Sequence, residues 1–268
     1  MLLRPLIGPG ISDLAGRFLD TEVSRLLIKP FVRANGIDLS DYELDGIRTF
    51  NDFFRRKIRK GLRPVSMEPS DLIAPCDGRL KVYPIREGLV IPVKQSSFTV
   101  RGLLKDKYLA ASMEGGFCLV FRLCVDDYHR YIWFDSGRKY KDRRIDGFFH
   151  TVRPAALEEY PVFVQNTREY SVIDTDGFGR CVQMEVGAML VGRIVDHVKE
   201  PCPVKRGTEK GYFEFGASTI ILLIPKDRVK IREDILRHTE DGGEYRVRMG
   251  EVIGGKDVLS QVRNKGRG

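Results

Sequence analysis

Long hydrophobic runs are absent from this 268-residue sequence. The longest in its later part, Ile220 to Ile224, falls far short of the roughly 20 apolar residues that cross a bilayer, so any membrane contact is expected to be peripheral. The opening stretch Met1 to Leu14 is interrupted by Pro5 and by Gly8-Pro9-Gly10, which speaks against the continuous apolar segment of a secretory signal. Cysteine is sparse: Cys76, Cys118, Cys124, Cys181 and Cys202 form no CxxC pair, show no metal-ligand spacing and leave one without a mate. That argues against a disulfide framework or a metal site and points to a reduced, cytoplasm-facing chain. A fixed-period repeat and a low-complexity tract are also missing, as is any recognised nucleic-acid-binding module.

What is present is length and positive charge. The chain is near the upper limit for one hydrophobic core, which predicts one large domain with a small appended segment. Its 45 Lys and Arg against 37 Asp and Glu, a formal +8, favour an anionic partner without choosing which.

Between Ile11 and Val32 the residues Ile11, Leu14, Phe18, Val23, Leu26, Leu27 and Phe31 recur at helical spacing, with Pro30 expected to bend or end the helix. A second start signal is Thr49 with Asp52 three residues on, the pattern of a capping box, after which Phe50, Phe53, Phe54 and Ile58 share one face. Arg55, Arg56, Lys57, Arg59 and Lys60 crowd the remainder. Two readings stay open: the phenylalanines pack on the domain, or the helix lies in an anionic membrane surface. After Pro64 short β-like runs follow, at Arg79–Tyr83, Val90–Val93, Phe117–Val125, Tyr131–Phe134, Tyr170–Ile173, Cys181–Val195, Tyr212–Ile224 and Tyr245–Met249. The expected class is α+β, amphipathic N-terminal helices over residues 1–63 followed by a mostly antiparallel β core over 64–268.

Few places carry chemistry. Asp77, in Pro75-Cys76-Asp77-Gly78, reads by itself as a turn residue. Asp127-Tyr128-His129-Arg130 sets a carboxylate, an imidazole and a guanidinium at the end of an apolar run. His150 has apolar neighbours that could move its pKa through burial, while His197 and His238 lie in charged, loop-like surroundings. In Gly216-Ala217-Ser218-Thr219 small residues interrupt a strand-like run, the mark of a bulge or close backbone approach.

Taken in order, Phe50-Asn51-Asp52-Phe53-Phe54-Arg55-Arg56, Gly61-Leu62-Arg63-Pro64, Pro75-Cys76-Asp77-Gly78 and Asp127-Tyr128-His129-Arg130 resemble the phosphatidylserine decarboxylases. Glu185-Val186-Gly187-Ala188, Val191-Gly192-Arg193-Ile194 and Lys210-Gly211 through Gly216-Ala217-Ser218-Thr219 extend the resemblance to about Phe50–Pro225. It implies cleavage between Ala217 and Ser218 by internal serinolysis, with a pyruvoyl group left at position 218. It also implies decarboxylation of phosphatidylserine to phosphatidylethanolamine, with Asp77 and His129 in the site. The implied partners are an anionic phospholipid membrane, met on its cytoplasmic face, and the two cleaved chains held as a heterodimer; homo-oligomerisation is left open and nucleic acid is not expected.

Two positions depart from the resemblance. Many relatives carry a second imidazole where this chain has Ile132, which leaves the processing base to His129 or, as the alternative, His150. The residue before the serine is usually glycine; Ala217 adds a Cβ that costs about 1 to 2 kcal/mol if the backbone there needs positive φ. Both departures keep a rival function open, a non-processing relative that binds lipid or acts as a scaffold. A serine hydrolase using Ser218, His129 and Asp77 lacks the GxSxG elbow.

Overall fold

A computed structural model describes residues 16–93, 96–149, 164–187, 193–216 and 218–257. Its centre is a nine-stranded sheet, antiparallel at every pairing. Eight strands run in the order Cys202–Val204, Gly137–Lys139, Arg168–Thr175, Gly179–Val186, Ser218–Ile224, Phe117–Leu123, Gly78–Pro84 and Tyr245–Val247. The ninth, Arg143–Ile145, pairs beside Gly137–Lys139 on the edge of Arg168–Thr175.

The apolar run Ile220–Ile224 is continuous because both of its faces are covered. Ile220, Leu222 and Ile224 join a layer with Leu119, Phe121, Ile132, Phe213 and Ile73. That layer is closed by two three-stranded sheets, Ile194–Asp196 with Glu209–Phe213 and Arg130–Ile132, and Val229–Ile231 with Val252–Lys256 and Asp71–Ile73. Ile221 and Leu223 point the other way, into a layer with Val182, Met184, Val120, Leu103 and Leu104. The helices Val100–Leu104 and Lys107–Ser112 and the hairpin Ile91–Val93 with Ser96–Phe98 lie on that side. These two helices and a third, Glu233–Glu240, are not visible in the period-2 pattern of this half of the chain.

Several expectations are refined. The run Cys181–Val195 is not one strand but two in different sheets, and so is Tyr212–Ile224, which breaks between Phe213 and Ser218. Pro30 does not end a helix. It sits in the first turn of Ile28–Asn35, where its missing N–H has no partner to lose. Thr49 does cap: its side chain accepts from the Asp52 amide at 3.0 Å, and Asp52 accepts from the Thr49 amide at 3.0 Å. The helix spans only Phe50–Phe54, and Ile58 instead lies in a two-residue strand paired with Tyr42–Glu43.

Packing decides between the two readings of that helix. Phe50, Phe53 and Phe54 are buried, and Phe31, Phe50 and Phe54 meet Phe215 edge-on with ring centroids 5.9, 5.1 and 5.2 Å away. Arg56 is buried as well, its guanidinium 4.1 Å from the Tyr42 ring centroid. Ser24, fully buried, accepts from the Phe50 amide at 2.9 Å and so ties the preceding 3-10 turn, Glu22–Leu27, to the same cluster. The aromatic face therefore docks the N-terminal segment on the residues just before Ser218. Phe54→Ala removes an aromatic side chain from this junction and should lower unfolding stability by about 3 to 5 kcal/mol, read as a reduced urea midpoint at unchanged slope.

Candidate active site

Ser218 is the first residue of the central strand and is 2% exposed. It stands opposite Leu123, and strand alternation directs its side chain to the face of Ile220 and Leu222, the layer that also contains Ile132 and Phe213. Its hydroxyl donates to the Gly216 carbonyl at 3.3 Å. Glu214, just ahead, is fixed twice by Arg193: its amide donates to the Arg193 carbonyl at 3.0 Å, and its carboxylate accepts from Arg193 Nε at 2.7 Å. The chain thus enters the serine from a pinned segment.

His129 is 1% exposed. Its ring lies 4.0 Å from that of Phe54, and its carbonyl accepts from the Phe213 amide at 2.9 Å, five residues before Ser218. Nδ1 is 2.9 Å from the Asp127 carbonyl. A carbonyl can only accept, so the proton belongs on Nδ1 and Nε2 keeps its lone pair. Among the described residues that buried Nε2 has no hydrogen-bond partner. Burial, assisted by the positive charge of Arg56, pushes the His129 pKa down to about 3 and holds the ring neutral.

Asp77 is engaged elsewhere. Its carboxylate accepts from Arg63 Nε at 2.9 Å, from Arg63 Nη2 at 2.6 Å and from the Met249 amide at 2.8 Å. Gly78 after it has φ +154°, and a Cβ there would lie 2.9 Å from the Arg122 carbonyl oxygen, so the turn can approach the Phe117–Leu123 strand only as glycine. The Ile132 amide donates to the Pro75 carbonyl at 2.9 Å. Position 132 therefore borders the Asp77 turn and belongs to the same apolar layer as Ser218, where its side chain is alkyl and no imidazole.

A buried charge cluster lies on the same face. The register pairs Glu209 with Ile132 and Gly211 with Tyr131, leaving Lys210 as the extra residue of a bulge. Its ammonium is turned into the core, where it donates to Glu185 and to Asp196 Oδ2, the latter at 3.2 Å, while the Tyr131 hydroxyl donates to Asp196 Oδ1 at 2.9 Å. Glu185 stands opposite Ile220, two residues along from Ser218. Burial alone would lower the Lys210 pKa, but Asp196, Glu185 and Asp142 outweigh it and hold the ammonium charged; burial lifts Glu185 well above the usual carboxylate range. Gly211 lets the strands close on this cluster, since a Cβ there would lie 2.2 Å from the Val195 carbonyl oxygen.

The structure thus brings Ser218 and His129 into adjoining segments and sets the Asp77 turn against Ile132. Among the described residues no hydrogen bond joins Ser218 to His129 or Asp77. Ala217 and His150 lie outside the described residues. His197 is half exposed and contacts Glu209 at 2.7 Å, and His238 lies on the peripheral Glu233–Glu240 helix. The roles of Arg63, Glu185, Arg193 and Lys210 were not read from sequence, although each stands in a motif quoted above. Their signal was the pairing of motifs with one another, Arg63 with Asp77, Glu185 with Lys210 and Arg193 with Glu214.

The sequence model of the family described as phosphatidylserine decarboxylase matches residues 50–255. Phosphatidylserine decarboxylase proenzyme 2 of Clostridium acetobutylicum is 44% identical over 255 residues, 95% of this chain and 87% of that protein. The phosphatidylserine decarboxylase proenzyme of Clostridium perfringens is 41% identical over 249 residues, 91% of this chain and 85% of its own. That of Ruminiclostridium cellulolyticum is 39% identical over 247 residues, covering 91% and 82%.

Two measurements test the electrostatics of the site. Lys210→Met leaves Glu185 and Asp196 without their cation and should cost about 3 to 5 kcal/mol of stability, whereas the neutral triple variant Lys210→Met/Glu185→Gln/Asp196→Asn should recover most of it in urea unfolding. For His129 the sign is that of a base with depressed pKa. Below its ordinary value of 6.5 the unfolded chain binds a proton that the folded chain refuses until about pH 3, so its contribution to stability is complete above 6.5 and shrinks through that window. His129→Gln should therefore lose less stability than the parent between those two pH values; an equal loss would assign the acid sensitivity to carboxylates.

Proposed function

The chain belongs to the phosphatidylserine decarboxylase family, and on that premise we propose that it is a carboxy-lyase that converts phosphatidylserine to phosphatidylethanolamine after cutting itself between residues 217 and 218. The observation that carries this reading is the setting of Ser218, a buried hydroxyl that opens the doubly covered strand where the segment held by Arg193 ends. Relatives described as proenzymes support processing over a scaffold that stays uncut.

In the cut, Ser218 Oγ attacks the carbonyl carbon of residue 217, its proton passes to a base, and an ester replaces the peptide bond. A base then takes the Cα proton of residue 218 as the upstream carboxylate leaves from Cβ, giving a dehydroalanine at 218 that takes up water and releases ammonia to become a pyruvoyl group. This group keeps the three carbons of the serine, so the space that holds Ser218 fits it. It supplies an electron-accepting carbonyl for loss of CO2 from the substrate's serine head group.

His129 is the proposed base, because its free Nε2 lone pair is kept neutral by burial. A ring with so low a pKa accepts a proton reluctantly, which makes the cut slow. Ser218 is 2% exposed in the uncut chain, so substrate reaches position 218 only when the new ends part. The water that enters then moves the His129 pKa back towards its ordinary value, suiting the ring to return a proton to the substrate α-carbon. His150 remains the alternative base. Asp77 keeps its place in the site as the group that holds the residue 75–78 turn to Arg63 and to Met249, across the cut from each other.

Among the described residues no helix is long and apolar enough to cross a membrane. Peripheral attachment at the cytoplasmic face, through residues 1–63, is supported by the exposure of Val23, Leu26 and Leu27. An open apolar cleft of about 640 Å3 lies among Leu26, Ile28, Leu39 and Leu44, with Arg25 and Lys29 beside it.

The intact mass of the purified protein tests the central claim. Chains 1–217 and 218–268 are expected, the smaller with a blocked N-terminus, co-eluting without denaturant because Ser218–Ile224 pairs with upstream strands on both sides. Ser218→Ala should give one uncut, folded and inactive chain. Fragments from that variant, or decarboxylation by it, would overturn the assignment.

A further inference from the structure

The face of the sheet opposite the N-terminal cluster carries three exposed cations that form no ion pair among the described residues. Arg168, fully buried, anchors the Val100–Leu104 helix: its guanidinium donates to the carbonyls of Leu103 at 2.7 Å and Gly102 at 2.8 Å and lies 5.2 Å from the Phe98 ring centroid. Arg168 stands opposite Val186, and Val186 opposite Thr219. The helix is therefore fastened at the end of the sheet where Ser218 begins its strand. The Phe50–Phe54 helix meets that end from the other layer, through Phe215 and His129.

Arg101, Lys105 and Lys107 are exposed and, with Thr99 and Gly102, line an open cleft of about 520 Å3. Among the described residues none of the three forms an ion pair, in contrast to Arg143 and Arg144 on a nearby edge strand. The carboxylate in their midst is already committed: Asp106 Oδ1 accepts from the amides of Tyr108 at 3.1 Å and Leu109 at 3.0 Å, and Oδ2 pairs with Arg143 at 2.8 Å. Beside the cleft Tyr108 is 78% exposed, with the Lys107 ammonium 4.8 Å from its ring centroid. Uncompensated cations next to an exposed amphipathic aromatic ring are the composition of a membrane interface rather than of a packed surface.

We propose that Arg101, Lys105, Lys107 and Tyr108 form a second membrane-contact surface, which grips anionic phospholipid head groups on the side of the Ser218 end opposite the N-terminal helices. The proposal rests on the peripheral-membrane reading given above and adds a second footing to it. Two footings on opposite layers, both at the same sheet end, fix how the protein lies. That end turns to the lipid, where the head group to be decarboxylated resides, and rotation about the N-terminal attachment is suppressed.

The test is flotation of the full chain with phosphatidylcholine vesicles, with and without phosphatidylglycerol, paired with turnover of a short-chain, water-soluble phosphatidylserine. Neutralising Arg101→Ser/Lys105→Ser/Lys107→Ser should weaken binding to the anionic vesicles roughly a hundredfold, at about a factor of five per cation, and Tyr108→Ala should weaken it further. Turnover of the soluble substrate should not change. Undiminished vesicle binding by the triple variant refutes the second footing while leaving peripheral attachment in place. Loss of soluble-substrate turnover also refutes it, by moving these residues into the substrate site. A parent protein that ignores anionic vesicles sinks both readings at once.

Discussion

The organisation of the site depends on one buried cation. Lys210 is forced inward by a bulge and binds Glu185 on the strand beside Ser218 and Asp196 on the neighbouring strand of its own small sheet. Three segments are thereby locked in register within a few residues of the serine. Such a cluster is poor as a source of net stability, since its desolvation offsets much of its attraction. What it gives is specificity, because any shift of the Glu209–Phe213 strand would strand a charge in the apolar layer. The segment that leads on to Ser218 inherits its position from this arrangement and from Arg193.

Around that frame the chemistry is arranged by exclusion. Asp77 is engaged by Arg63 and the Met249 amide, the Ile132 side chain offers no lone pair, and among the described residues Ser218 has only the Gly216 carbonyl for its proton. Among the described residues His129 alone presents a buried ring nitrogen without a hydrogen-bond partner, and Phe54 and the Asp127 carbonyl set its orientation. The aromatic cluster that seats the N-terminal segment is thus also one wall of the histidine's surroundings. Phe54 thereby joins the docked segment directly to the histidine ring.

The sequence made the α+β class and the antiparallel core legible, because turn residues punctuate short β-branched runs and because Thr49 and Asp52 are a local signal that needs no tertiary context. It misplaced the extent of strands such as Cys181–Val195, where an apolar pattern continues across a change of sheet. The helices at Val100–Leu104 and Lys107–Ser112 escaped notice because five or six residues are too few to display a 3.6-residue period. At the candidate site, Ser218 and His129 stand out in the sequence as candidates through their motifs. The partners of Asp77 and Lys210 could not: Arg63, 14 residues before Asp77, meets it in bends outside the strands, and Glu185, 25 before Lys210, meets it across two separate sheets, so both contacts arise only in the tertiary packing.

The strand order has a consequence for lifetime. Residues 218–257 contribute the Ser218–Ile224 strand to the middle of the large sheet, Tyr245–Val247 to its edge and Val252–Lys256 to a third sheet, each paired with strands from before residue 217. An uncut chain forms these pairings as a unimolecular reaction. Once the backbone is severed, the same pairings can be rebuilt only by collision of two separate polypeptides, neither with a complete core of its own. The cut protein is then durable for kinetic reasons, persisting for as long as it does not unfold and having no efficient way back when it does. The uncut chain can refold many times, whereas a chain cut at the proposed bond has a single folding history.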